Sequence, residues 1–167
     1  MNSLAPVIAQ LELQTMLFNN ATTGFSNAAA ENRLGQANHV KWLTGHLVSS
    51  RHMMANMVGL GVKEPYPALF ENGKGRRDDT AYPSMAELTK DWNTVTGMLI
   101  DKLGKLSETE LDAKLPYPLP GSDGTLRGHF GFMAHHEAYT IGQISYARRI
   151  AGMEAMKYAP KEEAVTA

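Results

Sequence analysis

The chain contains no cysteine among its 167 residues. That absence excludes a disulfide, a thiolate nucleophile and a thiolate metal site, so any metal must rest on histidine, aspartate, glutamate or water. It also suits a reducing compartment, and a cytoplasmic location is the expectation. Neither sign of charge dominates, because 16 lysines and arginines stand against 17 aspartates and glutamates for a formal net charge of −1. Nucleic acid and anionic membranes select a strongly basic face, so neither is expected as a partner. No apolar run approaches the ~18 residues that a membrane-spanning helix needs. The opening residues, Met1-Asn-Ser-Leu-Ala-Pro, also lack the basic start of a signal peptide. No segment alternates with period two, which leaves an all-α chain.

What the sequence does have is helical stripes. Leu4, Ile8, Leu11, Thr15, Phe18, Thr22 and Phe25 step by three or four residues and predict a first helix, with Ser3 as its N-cap and Pro6 in its first turn. His39, Leu43, His46, Leu47, Ser50, Met54 and Met57 predict a second, which stops where Gly59 and Gly61 follow. From about Val62 to Pro83 prolines and glycines break any regular run. A loop beyond ~12–15 residues is usually functional or mobile, and Tyr66, Phe70 and Tyr82 could fold it back over the helices as a lid. Ser84 and Glu87 form a capping box ahead of a third helix carrying Leu88, Trp92, Val95, Leu99 and Leu103. Ser107 and Glu110 repeat the box before a short helical turn, and Pro116 to Gly121 forces an extended link. Thr125 then caps a fourth helix that ends near Gly152. The expected architecture is an antiparallel four-helix bundle over residues 1–152, with long connections between helices 2 and 3 and between helices 3 and 4. Residues 153–167 read as a loosely ordered tail.

In such bundles sites are assembled in the core from facing helices. The fourth helix places Phe132, Met133, His136, Thr140, Gln143, Ile144 and Ala147 on one face, half apolar and half chemical. Polar groups on a buried face must find hydrogen bonds, a ligand or a metal. His46 and His136 are therefore the candidate metal ligands, since neutral imidazole suits Zn²⁺ or Ni²⁺. His39 and His129, each two turns before one of them, are further candidates for the same pocket, together with Ser50, Thr140 and Gln143. The bland alternative is a pair of core histidines hydrogen-bonded to Thr140, Gln143, Ser50 or each other. His52 and His135 read as flank or surface residues. Trp42, Met53, Met54, Met57 and Trp92 read as core.

Trp42-Leu43-Thr44-Gly45-His46-Leu47, followed much later by His135-His136-Glu137-Ala138-Tyr139-Thr140-Ile141-Gly142-Gln143-Ile144, resembles the DinB/YfiT-like family of four-helix-bundle proteins. The resemblance covers nearly the whole chain in helix order and loop placement. It implies a divalent metal held by three histidines and an activity of the thiol S-transferase, hydrolase or isomerase type, with a low-molecular-weight thiol or other small molecule as partner, and it implies a homodimer. Carried over residue by residue, two ligands fall on His46 and His136, and the third falls on Thr140. A hydroxyl is a poor replacement for imidazole, and Glu137 points about 100° away from His136 around the helix. The resemblance thus admits two functions, a metal-dependent transferase or hydrolase with a degenerate site, and a non-enzymatic dimeric small-molecule-binding or scaffold protein whose metal site has decayed.

Overall fold

A computed structural model describes residues 2–33, 35–70, 75–117 and 119–158. Among the described residues seven helices run in chain order: α1 (Ala5–Thr22), α2 (Asn27–Glu31), α3 (Val40–Met57), α4 (Pro67–Phe70), α5 (Met85–Gly104), α6 (Glu108–Leu111) and α7 (Leu126–Ile150). The four long ones are those the stripes predict. Two predicted capping boxes form, Ser84 with Glu87 at the start of α5 and Ser107 with Glu110 at the start of α6. Thr125 caps α7 by accepting from the Gly128 amide. Ser3 does not cap α1. Its hydroxyl donates to Glu108 Oε2 instead, and α1 begins after Leu4 with Pro6 in its first turn, where no amide hydrogen is needed.

α1 packs beside α5 and α7, and α3 packs beside the same two helices. Two buried clusters show how the helices run. One gathers Phe18 and Ala21 from the end of α1, Leu43 and Leu47 from the start of α3, Leu88 and Trp92 from the start of α5, and Ile141 and Ile144 from the end of α7. The other gathers Leu11, Met54, Leu99, Leu103, Phe130 and Met133 from the opposite ends. Hence α3 and α5 run in one direction and α1 and α7 in the other, and the antiparallel contacts are those between the two sets. The long connection from Val58 to Ser84 permits this, because it carries the chain back along the bundle before α5 begins. Among the described residues no helix is long and apolar enough to cross a membrane.

Between the clusters lies an ion pair. Arg51 of α3 and Glu137 of α7 are both fully buried, with side chains at 0 % exposure. Arg51 Nε and Nη2 donate to the two carboxylate oxygens, each at 2.8 Å. Its remaining hydrogens go to Thr15 Oγ1 and the Leu11 carbonyl of α1 and to Thr96 Oγ1 of α5. The guanidinium also lies 3.8 Å over the Trp92 ring. One side chain thus ties all four long helices at mid-height, with every N–H donor used.

The C-terminal segment expected to be loose divides in two. Met153 and Met156 pack against the first cluster, and Arg148 Nε donates to the Glu154 carbonyl at 2.7 Å. Residues 159–167 lie outside the described chain.

Candidate functional site

His46 on α3 and His136 on α7 meet across the seam between those helices. Their Nε2 atoms are 2.8 Å apart, and the rings lie edge to face with centroids 4.8 Å apart. Trp42, one turn before His46 and half-buried, stacks on the His46 ring at 4.9 Å and 9°. Phe132, one turn before His136, flanks the other ring. A separation of 2.8 Å between two ring nitrogens requires one proton between them, so one imidazole donates and the other accepts. Burial lowers the His46 pKa to about 4, the neighbouring His136 adding to the effect. Burial lowers His136 as well, with a smaller push from His135. Both rings are thus neutral near pH 7. His136 Nδ1 is buried without a hydrogen-bond partner. An unpartnered buried lone pair is easier to accommodate than an unpartnered N–H, which puts the His136 proton on Nε2 and makes His46 Nε2 the acceptor.

The fit to a metal ion follows from these distances. Two imidazoles on one tetrahedral zinc, at about 2.0–2.1 Å each, would hold their donor atoms about 3.3 Å apart, so the observed pair would need to open by roughly half an ångström. The third position is the difficulty. Thr140, one turn after His136, is 2 % exposed and supplies only a hydroxyl. Among the described residues no three histidines, aspartates or glutamates gather in a group that would hold a metal ion. The donor set is therefore incomplete for the three-histidine site that the resemblance implies.

The other predicted residues go elsewhere. His39 is not a member of the α3 stripe but its N-cap, with Nδ1 accepting from the Trp42 amide at 3.0 Å and its ring against Tyr82. That nitrogen is spent on the helix terminus. His129 is fully buried, with Nε2 2.9 Å from the Tyr117 carbonyl and Nδ1 3.1 Å from the Ser122 hydroxyl. It fastens the α6–α7 link to the start of α7. Ser50 is buried one turn after His46 on α3. Gln143 lines a groove described below. His135 is exposed as expected, whereas His52, expected on a flank, is buried with Nδ1 2.8 Å from the Val48 carbonyl. Met53, expected in the core, is 43 % exposed.

The loop after α3 does fold back. Phe70, at the end of α4, is buried against Gly45 and Trp42, and its ring tip occupies the space a β-carbon at position 45 would take. Tyr66 anchors this strap by donating from its hydroxyl to Asp91 on α5 at 2.5 Å. Gly45, beside His46, is thus required by a ring from the loop. Along the same α3–α7 seam, an open groove of about 470 Å³ is lined by Leu43, Tyr139, Gly142, Gln143, Tyr146 and Ala147, among others. A β-carbon at Gly142 would meet nothing within 4 Å, so the groove floor there is bare.

Up-and-back packing of four long helices, with a paired-histidine site between the second and fourth of them, defines the class of protein. The chain belongs to the DinB superfamily, whose sequence profile matches residues 10–144 and so includes both His46 and His136. In fold it is similar to the crystal structure of a conserved protein from Enterococcus faecalis, with a TM-score of 0.66 and 13 % identity over 90 % of this chain and 98 % of that one. No curated protein matches the chain.

Proposed function

We propose that this DinB-superfamily chain binds a small, largely apolar molecule along the α3–α7 seam, with the His46–His136 pair as the polar anchor of the site, and does not act through a bound metal. The observation that carries the reading is the 2.8 Å contact between the two Nε2 atoms, which occupies on each ring the nitrogen that faces the other. With a hydroxyl at Thr140, nothing in the described set completes three-histidine ligation. A groove farther along the same α3–α7 seam, lined by Leu43 and by α7 residues from Tyr139 to Ala147 but not by the two histidines, has the size and mostly apolar lining of a ligand site, about 300–1,000 Å³ in known cases, with the Gln143 amide as a polar group to orient what enters.

The test uses two titrations of the full chain. Nile red, a neutral apolar fluorophore, is expected to brighten with the wild type and to lose affinity with Gly142→Phe, a change whose β-carbon meets no atom within 4 Å and whose ring takes up space in the groove. Zn²⁺ or Ni²⁺ added to chelator-treated protein is expected to leave the melting temperature unchanged, since only a ligand that binds the folded state raises it. An unchanged Nile red affinity in Gly142→Phe overturns the groove assignment. A metal-dependent rise that His46→Ala abolishes overturns the non-metal reading in favour of the metal-dependent one.

A further inference from the structure

A fully buried ion pair needs a reason. Removing two charges from water is costly, and apolar side chains of similar volume often serve stability as well or better. Arg51 and Glu137 nevertheless sit at 0 % exposure, and all five guanidinium hydrogens have acceptors. The location of the pair supplies the reason. Glu137 directly follows His136 on α7, and Arg51 stands five residues after His46 on α3, so the same two helices carry the imidazole contact and the ion pair at different heights of one seam.

The two contacts constrain different things. Two antiparallel helices joined at a single point can still pivot about it and slide, because apolar side chains tolerate shifts of a few tenths of an ångström. A two-pronged contact between a planar guanidinium and a carboxylate has a narrow optimum in both distance and angle. Side chains lean towards the N-terminus of their own helix, so on antiparallel α3 and α7 the Arg51 and Glu137 side chains lean in opposite directions along the axis, and their meeting fixes the offset between the two helices. Bonds from the same guanidinium to Leu11, Thr15 and Thr96 reference that contact to α1 and α5.

We propose that Arg51 and Glu137 are positioning residues, whose ion pair sets the register of α3 against α7 and thereby holds His46 Nε2 within hydrogen-bond distance of His136 Nε2. The inference deepens the reading of that imidazole pair as the site. It concerns the geometry of the pair, not the identity of what binds there.

The experiment is NMR of the full-length chain, observing the imidazole ¹⁵N resonances and the exchange rate of the proton shared by the two Nε2 atoms. In the wild type one Nε2 is protonated and the other bare, with a slowly exchanging proton between them. Arg51→Met with Glu137→Leu keeps the volume and removes the charges. This double variant is expected to stay folded but to exchange the shared proton roughly tenfold faster, the factor implied by losing about one hydrogen bond's net contribution. Glu137→Gln, which keeps the shape and removes one prong, is expected to move the rate in the same direction and serves if the double variant does not fold. Leu111→Ala, which opens a cavity in the distant cluster, is expected to lower the melting temperature without changing that exchange rate. Retention of the wild-type resonances and rate in a folded charge-free variant overturns the proposal, as does an equal change in Leu111→Ala. No ligand enters the measurement, so failure of the Nile red test leaves this one intact, and the reverse holds too.

Discussion

Phe70 and Gly45 are fitted to each other, the tip of the buried ring filling the space where any other residue at position 45 would carry its β-carbon. Trp42 and Tyr82 flank that ring, which limits its retreat. Alanine in a helix is normally better than glycine by about 1 kcal/mol. Here Gly45→Ala is expected to destabilise by about 1–3 kcal/mol, the usual result of overpacking. In a Phe70→Ala background the sign should reverse, with Gly45→Ala neutral or stabilising. A denaturant-melt double-mutant cycle measures both, and additive effects would show that the strap does not press on α3.

The Arg51–Glu137 pair makes a separate stability prediction. Burial raises the Glu137 carboxyl above its ordinary value, with the hydrogen bonds and charge of Arg51 opposing it. The two-pronged contact, at 2.8 Å to each carboxylate oxygen, is the geometry of an ion pair. Glu137→Ala then leaves the Arg51 charge buried and unpaired, and should cost about 3–5 kcal/mol. Replacing both partners by apolar residues should cost far less. If chemical denaturation finds the single and double variants equally unstable, the charges are not what the site must balance.

Much of this arrangement was legible in the sequence. His46 and His136 lie on clear three-and-four-residue stripes, so each could be placed on the inner side of its helix before any coordinates. Arg51 and Glu137 were harder to read, because a charged residue is ordinarily assigned to solvent and Glu137 lies about 100° around α7 from His136. The signal was nonetheless present. Glu137 continues the apolar series Phe130, Met133, Ile141 and Ile144, and Arg51 continues Leu47, Val48, Met54 and Ala55. Opposite charges in the middle of two apolar stripes are a sequence-level sign of a buried pair. His39 and His129 could not be sorted from His46 and His136 by spacing. Their nitrogens are taken by the Trp42 amide and by the Tyr117 carbonyl and the Ser122 hydroxyl, partners set by a helix start and a loop path. The direction of α5 depended likewise on the course of a proline-broken connection.

The neutral imidazole pair predicts how stability responds to acid. The unfolded chain has His46 at its ordinary value near 6.5, while the folded chain holds it at about 4. Between those values the unfolded state takes up a proton that the folded state refuses, so stability falls as pH drops through that window and is flat above it. His136 and His39 are lowered by burial too and act in the same direction. The His46 share, reduced for its partial exposure, should be about 1–3 kcal/mol between pH 7 and pH 4. His46→Gln should flatten the dependence of melting temperature on pH over that interval. An unaltered slope in that variant would place the titration elsewhere.

Thr140 offers the direct test of what separates this site from a complete one. It stands one turn after His136 on α7, the i and i+4 spacing at which two helical histidines share a metal, and it is 2 % exposed. Thr140→His should overpack the seam and lower the metal-free stability by about 1–3 kcal/mol. It should also supply the third imidazole, beside two that burial already keeps neutral. With Zn²⁺ at a hundredfold excess over its dissociation constant, the variant should regain about 2.7 kcal/mol, read as a rise in melting temperature that the wild type lacks. Thr140→Ala controls for loss of the hydroxyl, and adding His46→Ala to Thr140→His should erase the gain. An identical zinc response in wild type and Thr140→His would mean that position 140 does not face His46 and His136, and that the hydroxyl there is not what leaves the donor set one ligand short.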